Sequence, residues 1–386
     1  MRVLTLVDAF RMGGAETLLA PLATAARREG IELEVVSLMD ESVASTKTLE
    51  VLDQAGVRPR MLRVKRLLDP TAIPQIVAEI RRSRCDVVHS HLEMANTLAV
   101  PAARLARTPV VCTFHHVAVP TIQGQARRER LAVNVATRAD RTIFVSTAQL
   151  DSWHAMYRRG PVPDNWTVVH NGVDLDLYAP DVPQPDIRTE LTGGRATDGP
   201  VVVLPAAFRD FKGIPVAIEA WPLVQERCPD AVLSLVGGGE MEEEIRDRIA
   251  RLGLEKSVVL AGVRSDMPAV YRSADLVLLP SIHGENLPTV LIEAAASGRA
   301  VAASRVGGIP DIVDHRETGL LFERDDPAAL AAAVIELLED ADLRERLGTA
   351  GVAQARTKFS ADAWVRNLRR VYEAALASPS RPKIRS

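Results

Sequence analysis

Short apolar segments alternate with amphipathic ones along almost the whole chain. In the first half the strand-like segments are Val3–Val7, Leu33–Leu38, Asp86–His89, Pro109–Phe114 and Arg141–Val145. In the second half they are Val201–Leu204, Ala231–Val236, Val258–Leu260, Leu276–Leu279 and Ala300–Ala303. Strands that alternate with helices usually pair in parallel, so the pattern predicts doubly wound α/β sheets.

A stretch rich in proline and glycine separates the two halves. It contains Pro180, Pro183, Pro185, Gly193, Gly194 and Gly199, a composition typical of linkers. The chain of 386 residues is also longer than one ordinary domain. We therefore predict domains at residues 1–178 and 179–359. A last helix is predicted over 360–377, with one apolar face that must dock, formed by residues 364, 365, 368, 371, 372 and 375.

Composition excludes several functional classes. Residues 1–178 carry 22 basic and 19 acidic side chains, and residues 179–365 carry 19 and 30, so a strong basic footprint for nucleic acid is missing. Apolar runs are shorter than the roughly 18 residues of a membrane-spanning helix, and Met1–Val7 is too short for a signal sequence. Three widely spaced cysteines fit a reducing compartment. We expect a cytoplasmic protein without a membrane span.

The segment Ser281–Gly298 carries the clearest chemical pattern. It follows a buried strand, turns at Gly284, and begins a helix with Pro288 at the first position. Free amides at such a helix start form an anion site. Packing does not explain Glu285 and Glu293. Each carboxylate is either part of a site or simply solvated.

This carboxylate pair matches the E-x7-E motif, and its surroundings resemble the retaining glycosyltransferases of family 4, which have the GT-B fold. The resemblance implies two Rossmann-like domains facing across a cleft, with the C-terminal helix crossing back to the first domain. The first domain would bind the acceptor and the second the nucleotide sugar. It places Glu285 by the transferred sugar and Glu293 at the ribose hydroxyls. The donor would also contact Leu287, Thr289 and Val290.

Three other segments extend the resemblance. The turn at Gly13, Gly14, Ala15 and Glu16 resembles one that faces the donor, although it could be a tight turn without a ligand. In the family a histidine after the fourth strand contacts the donor sugar, and His115 fits that position better than His116. Gly262–Asp266 matches the segment whose backbone reads the nucleotide base, and Arg264 within it either stacks on the base or is solvated.

Lys212 and Gly213 match a lysine–glycine pair whose cation neutralises the leaving diphosphate. The family's arginine lies about five residues before that lysine, where this chain has Ala207. Arg209 either replaces that arginine from the loop or forms an ion pair or solvated charge elsewhere.

The acceptor side is less determined by the pattern. Residues 89–96 and the Arg/Ala-rich composition are similar to those of actinobacterial transferases of aminoglycoside pathways, which favours a cationic aminocyclitol acceptor and antibiotic biosynthesis. Candidate contacts are Asp8, Glu16, Glu93 and His89, although His89 could equally fill the turn. A basic run either contacts anionic lipid at the inner membrane face or is solvated, and consists of Arg58, Arg60, Arg63, Lys65 and Arg66.

We therefore predict transfer of a hexose, with retention of configuration, from a nucleotide-diphosphate sugar to an acceptor hydroxyl. A UDP-sugar is favoured and a GDP-sugar is possible. No metal and no cofactor is expected. The alternatives are a lipid or polysaccharide transferase, a sugar-nucleotide 2-epimerase, and a GT-B binding protein without turnover.

Overall fold

The computed structural model describes residues 1–10, 18–118, 123–195 and 198–378. Its contacts divide the chain into two units, Met1–Gly172 with Ala361–Ser386, and Val173–Ser360. The second unit begins before residue 179, the boundary expected from the sequence. The reason is that Val173 bridges to Ser360, and its amide donates to the Phe359 carbonyl oxygen at 2.9 Å.

Unit 1 contains a seven-stranded sheet whose strands all pair in parallel. The strands are β1 (Arg2–Val7), β2 (Glu32–Ser37), β3 (Arg60–Met61), β4 (Val87–His91), β5 (Val110–Phe114), β6 (Arg141–Phe144) and β7 (Trp166–Val168). The helices are α1 (Leu19–Arg28), α2 (Thr46–Gln54), α3 (Ala72–Ser83), α4 (Glu93–Ala106), α5 (Gln123–Ala136) and α6 (Thr147–Tyr157).

Unit 2 contains a six-stranded parallel sheet. Its strands are β8 (Val201–Pro205), β9 (Val232–Val236), β10 (Val258–Gly262), β11 (Leu276–Leu279), β12 (Ala300–Ser304) and β13 (Leu320–Phe322). Its helices are α7 (Arg188–Leu191), α8 (Ile214–Arg227), α9 (Glu242–Arg251), α10 (Met267–Ser273), α11 (Thr289–Ala296), α12 (Ile309–Ile312), α13 (Pro327–Glu339) and α14 (Ala341–Gln354).

Both sheets confirm the doubly wound α/β prediction. The strand orders are β3-β2-β1-β4-β5-β6-β7 and β10-β9-β8-β11-β12-β13, so each order reverses beside the first strand of its unit. Ligands in open α/β folds bind beyond the carboxyl ends of strands at such a reversal. The relevant places are therefore the loops after β1 and β4 in unit 1, and after β8 and β11 in unit 2.

Strand β1 shows why these sheets require helices on both faces. Leu4 and Leu6 belong to one buried apolar cluster, while Val3 and Val7 belong to another. Successive side chains point to opposite faces of a strand, so a strand that is apolar throughout must be covered on both sides. The edge strands β3, β7 and β13 were not predicted, since runs of two or three residues are too short to show a period.

The last helix, α15 (Ala361–Leu376), belongs to unit 1. Its predicted apolar face is buried throughout, and Trp364, Val365 and Leu368 share the cluster that contains Val3. Arg28 on α1 adds an exposed ion pair with Asp362, at 2.7 Å. In the described part of the chain, no helix combines the length and apolarity needed to cross a bilayer.

We predict that Leu368→Ala lowers the free energy of unfolding of unit 1 by about 2–5 kcal/mol, because it leaves a cavity beneath α15. Chemical denaturation followed by tryptophan fluorescence measures this, since Trp153, Trp166 and Trp364 all lie in unit 1. Arg370→Ala on the exposed face of α15 is the control, with an expected change within about 0.5 kcal/mol. Equal effects of the two variants would contradict the docking of α15.

Candidate active site

Lys212 and Glu285 form a buried ion pair at the strand-order reversal of unit 2. The Lys212 Nζ lies 2.6 Å from Glu285 Oε1, and their side chains are 18% and 7% exposed. Lys212 ends a short 3-10 turn after β8, and Glu285 lies in the loop after β11. Because β8 and β11 are paired neighbours, their following loops meet at one edge of the sheet. The structure thus brings these two predicted residues together.

The loops around this pair fit too closely to tolerate side chains at two glycines. A Cβ on Gly213 would lie 1.9 Å from the Pro280 carbonyl oxygen, and one on Gly307 would lie 1.9 Å from the Glu285 carbonyl oxygen. Both glycines also have positive φ, 66° and 54°. The Ser281 hydroxyl donates to Glu285 Oε1 at 2.5 Å. Two side chains, Lys212 and Ser281, therefore hold the carboxylate, both at Oε1.

Glu293 on α11 lies among tyrosines rather than on an open surface. The Tyr271 hydroxyl donates to Glu293 Oε2 at 3.0 Å, and Tyr178 also hydrogen-bonds this carboxylate. Burial raises the pKa of Glu293, and hydrogen bonds from Tyr271, Thr289 and Tyr178 act against that shift. Neither tyrosine was a predicted site residue. Residue spacing alone cannot place Tyr178 and Tyr271 against α11.

The start of α11 differs slightly from the prediction. Pro288 is the N-cap, with ψ 108°, and the first helical residue is Thr289. The N-cap contributes no side-chain hydrogen bond, so the first-turn amides of Thr289 and Val290 remain suited to an anion. Leu287 packs partly buried against the apolar cluster beneath the helix.

Two predicted cations have different surroundings. Arg264 is held by both oxygens of Asp266, at 2.9 and 2.6 Å, and by Glu190 at 2.7 Å, an arrangement that the sequence did not indicate. Asp266, and after it Glu190, raises the pKa of Arg264, and burial acts against this shift. The Arg209 side chain is exposed in the loop of Lys212, and its replacement of the missing arginine at Ala207 stays a prediction.

In unit 1, three histidines form a cluster: His89 and His91 lie buried in β4, and the half-buried His115 follows β5 directly. His91 Nδ1 lies 2.9 Å from His115 Nε2, and the rings of His89 and His91 are 4.1 Å apart. His89 is 1% exposed, and its ring nitrogens contact Tyr372 and Thr113 at 2.8 and 2.7 Å. Both ring nitrogens of His89 are used inside the unit, which fits the alternative that this histidine fills the turn, and its acceptor contact stays a prediction.

Asp8, another expected acceptor contact, caps a helix. Its carboxylate accepts from the amides of Ala95 at 2.6 Å and Met94 at 3.2 Å, at the first turn of α4. Leu92 precedes this turn with φ 74° and ψ 169°, a conformation that costs a non-glycine residue about 1–3 kcal/mol. The strained turn directs the amides of α4 toward Asp8. The carboxylate thus has a structural role that accounts for its position.

A cavity of about 460 Å³ opens beside this helix start. Charged side chains along its wall are Asp8, Arg66, Glu93, His116 and Arg128. The side chains of Arg66 and Arg128 are exposed to solvent, and neither forms an ion pair with another described residue. Sequence reasoning did not identify Arg128, which lies on α5, far along the chain from Arg66.

His116 lies between two carboxylates at this cavity. Its Nε2 is 3.0 Å from Glu93 Oε1 and 3.4 Å from Glu129 Oε1. Burial lowers the pKa of His116, but the hydrogen bonds and charges of these carboxylates outweigh it and raise the pKa overall. The three side chains could also hold a metal ion, since their ligand atoms lie within 4.8 Å of one another. The hydrogen bonds of His116 to the two carboxylates are an alternative account of the same arrangement.

The predicted residues Gly13, Gly14 and Glu16 lie outside the described residues, so their expected contacts stay predictions. Glu93 does line the cavity, although it is paired with His116. The expected cationic acceptor therefore meets carboxylates that are already engaged, at Asp8 and Glu93.

Comparisons with known proteins place this arrangement in a family. Residues 12–177 match the model described as Glycosyltransferase Family 4, and residues 192–354 match Glycosyl transferases group 1. D-inositol 3-phosphate glycosyltransferase of Corynebacterium glutamicum is 30% identical over 95% of this chain and 93% of its own. The chain belongs to glycosyltransferase family 4. Two further similarities are consistent with this assignment.

Phosphatidyl-myo-inositol mannosyltransferase of Mycobacterium leprae is 29% identical over 97% of this chain and 96% of its own. The solved structure of Anabaena HepE in complex with UDP has a TM-score of 0.82 and 23% identity, over 97% of this chain and 100% of that one, which shows the GT-B fold. The family 4 relatives reported above are named for inositol-containing acceptors, and the aminoglycoside expectation gains no support from them.

The buried histidines predict a pH-dependent stability of this family 4 enzyme. Burial lowers the pKa of His89 to about 3 and of His115 to about 4, from 6.5. Between pH 6.5 and 5 the unfolded chain binds protons at these rings and unit 1 does not. The free energy of unfolding should therefore decrease as pH falls, by up to about 1.4 kcal/mol per pH unit for each ring.

Denaturation at pH 6.5 and 5.0 measures this slope, and His89→Gln should make it shallower. His116 has the opposite sign, since its raised pKa contributes stability that is complete below 6.5 and is lost as pH rises through its folded pKa. His116 therefore contributes little to the decrease in the free energy of unfolding below pH 6.5. His283→Gln in unit 2 is the control, and an equally shallow slope there would contradict the role of the buried cluster.

Proposed function

We propose that this glycosyltransferase transfers a hexose from a UDP-sugar to a hydroxyl group of a phosphorylated cyclitol, with retention of anomeric configuration. The observation that carries the acceptor class is the unit 1 cavity, whose wall contains Arg66, Arg128 and the protonatable His116. The relative from Corynebacterium glutamicum, named for D-inositol 3-phosphate, supports the same class. A phosphate monoester fits two guanidinium groups better than an aminocyclitol does.

The donor is proposed to bind unit 2 at the strand-order reversal. Lys212 and the first amides of α11 would meet the diphosphate, Glu293 the ribose, and Glu285 the sugar hydroxyls. Lys212 must then exchange part of its contact with Glu285 for phosphate oxygens. The Anabaena structure in complex with UDP, which shares this fold, makes UDP the favoured nucleotide. GDP is the alternative.

In the proposed reaction the bond from the anomeric carbon to the diphosphate oxygen breaks, and a bond to the acceptor oxygen forms. The acceptor's hydroxyl proton passes to the leaving phosphate, and UDP departs. Lys212 and the helix amides stabilise the negative charge that grows on the diphosphate, so they act mainly in the transition state. His115 is proposed to contact the sugar. Arg209 is a proposed second cation.

We predict that Lys212→Ala lowers kcat by about 100-fold or more, because the leaving-group charge loses its cation. The same change leaves the buried Glu285 carboxylate without its partner and should destabilise unit 2 by about 3–5 kcal/mol. A double variant, Lys212→Ala with Glu285→Gln, removes that unpaired charge. It should recover much of the stability but not the turnover.

Steady-state kinetics and thermal denaturation of both variants make this comparison. If Lys212→Ala loses stability but keeps kcat, Lys212 has a structural role only. A rise in donor KM at constant kcat would instead make Lys212 a ground-state anchor for the donor.

We predict that Arg66→Gln and Arg128→Gln each raise the acceptor KM for D-inositol 3-phosphate about tenfold or more, since each removes a charge-assisted hydrogen bond of about 1.5–3 kcal/mol. The donor KM should stay constant. Arg127→Gln is the matched control, because this neighbouring arginine is exposed and does not line the cavity. Equal turnover of uncharged myo-inositol by the wild type would contradict a phosphate-bearing acceptor.

A lipid-linked acceptor is the second candidate. Leu68 is 81% exposed beside Arg66, an amphiphilic surface that would fit a phosphoinositide in a membrane. The Mycobacterium leprae relative is named for such an acceptor. Product analysis with D-inositol 3-phosphate and with phosphatidylinositol vesicles separates the two candidates. Conversion of donor without any acceptor would indicate the epimerase alternative.

A further inference from the structure

A second cavity, of about 630 Å³, opens in unit 2 at the edge of the sheet opposite to Lys212 and Glu285. Its wall includes Asp275 and Ala300, which stand at the amino ends of β11 and β12. The loops that carry Lys212 and Glu285 follow the carboxyl ends of strands in the same sheet. The proposed donor site and this cavity therefore occupy different edges.

Four arginines line this cavity, although the surrounding sequence is acidic. Residues 179–365 carry 19 basic and 30 acidic side chains, so arginines are not concentrated there by composition. The four are Arg272, Arg299, Arg344 and Arg356. Two acids, Asp275 and Glu345, also line the wall. Asp275 already accepts from Arg188 at 2.9 Å and from the Val201 amide at 2.8 Å.

Two of these arginines use part of their guanidinium group for the fold. Arg299 Nη1 donates to the Ala274 carbonyl oxygen at 2.9 Å. Arg344 Nη1 donates to the carbonyl oxygens of Leu337 and Leu338 in the last turn of α13, at 2.6 and 2.9 Å. A guanidinium group has five N–H donors, so these contacts leave others for a ligand.

The remaining donors include groups that the fold does not satisfy. Arg299 Nε is buried without an acceptor among the described residues. Arg272, half-buried, has no hydrogen-bonding or ionic partner within the described part of the chain. Arg356 is exposed, and the ion pair that the structure gives it, to Asp181, spans 4.0 Å.

Like charges also act on each other here, since Arg272 and Arg299 line the same cavity. Burial, and next the charge of Arg272, lower the pKa of Arg299, against the opposing effect of Asp275. Bringing two guanidinium groups together and burying a donor without an acceptor both cost free energy. An anion between Arg272 and Arg299 would offset both costs.

We propose that this cavity is an anion-binding site for a phosphate group, separate from the donor and acceptor sites. Arg272 and Arg299 bind the phosphate oxygens with their forked donors, and Arg356 adds a third charge from the rim. The phosphate belongs either to a soluble phosphate ester or to an anionic lipid head group. Both present the same oxygens to the arginines.

The test measures the rise in melting temperature of the full chain in inorganic phosphate, with ionic strength held constant by chloride. The cavity variant is Arg272→Gln with Arg356→Gln. The control variant is Arg251→Gln with Arg346→Gln, which removes two arginines of the same unit that do not line the cavity. Phosphate bound at the proposed donor and acceptor sites raises the melting temperature of both variants equally. A difference in this rise between the two variants therefore reports binding in this cavity.

Phosphate should stabilise the wild type and the control variant equally, and the cavity variant less, with a dissociation constant for the cavity raised at least tenfold. If the cavity variant folds poorly, Arg356→Gln alone should show a smaller loss in the same direction. An equal phosphate response of the cavity and control variants, or no response of the wild type, overturns the proposal.

A second arm identifies the source of the phosphate. The full chain is sedimented with vesicles of phosphatidylglycerol and, separately, of phosphatidylcholine. Binding to phosphatidylglycerol that the cavity variant loses and the control variant keeps assigns a lipid head group. Vesicle binding that is equal in both variants, together with a phosphate response lost only in the cavity variant, assigns a soluble phosphate ester. These results do not depend on transferase activity.

Discussion

The parallel pairing of β8 with β11 is the constraint on which the candidate site of unit 2 depends. These neighbouring strands run in one direction, so the loops after them meet at one edge, with Lys212 on one and Glu285 on the other. Their ion pair is buried, and a buried charge without a partner is unfavourable by several kcal/mol. The same reversal of strand order in unit 1 brings together the residues after β1 and β4, where the cavity lined by Glu93 and Arg66 opens.

The fold could be predicted from the sequence because its largest features are periodic. Alternating apolar segments identified the long strands of both sheets, and the apolar face of α15 was recognisable from its spacing. Lys212 and Glu285 were predicted from their resemblance to family 4 motifs, and each follows a strand that the periodicity had identified. What the spacing could not show was that these two side chains contact each other.

Contacts between distant parts of the chain account for what the sequence did not predict. Glu293 is hydrogen-bonded by Tyr178 and Tyr271, and no local pattern connects these three residues. Asp8 and His89 have the residue types of an acceptor site, but the fold uses one as a helix cap and buries the other against Tyr372. Arg66 and Arg128 add cationic side chains to a cavity for which the sequence predicted carboxylate contacts.

The central proposal is that this family 4 enzyme transfers a hexose from a UDP-sugar to a phosphorylated cyclitol, with retention of the anomeric configuration. Proton NMR of one reaction, containing the purified chain, UDP-glucose and D-inositol 3-phosphate, tests the claim directly. The account predicts equal amounts of UDP and of a new glycoside whose anomeric coupling is that of the α configuration, as in the donor. A β-configured glycoside, or release of UDP with free glucose as the sole sugar product, would contradict it.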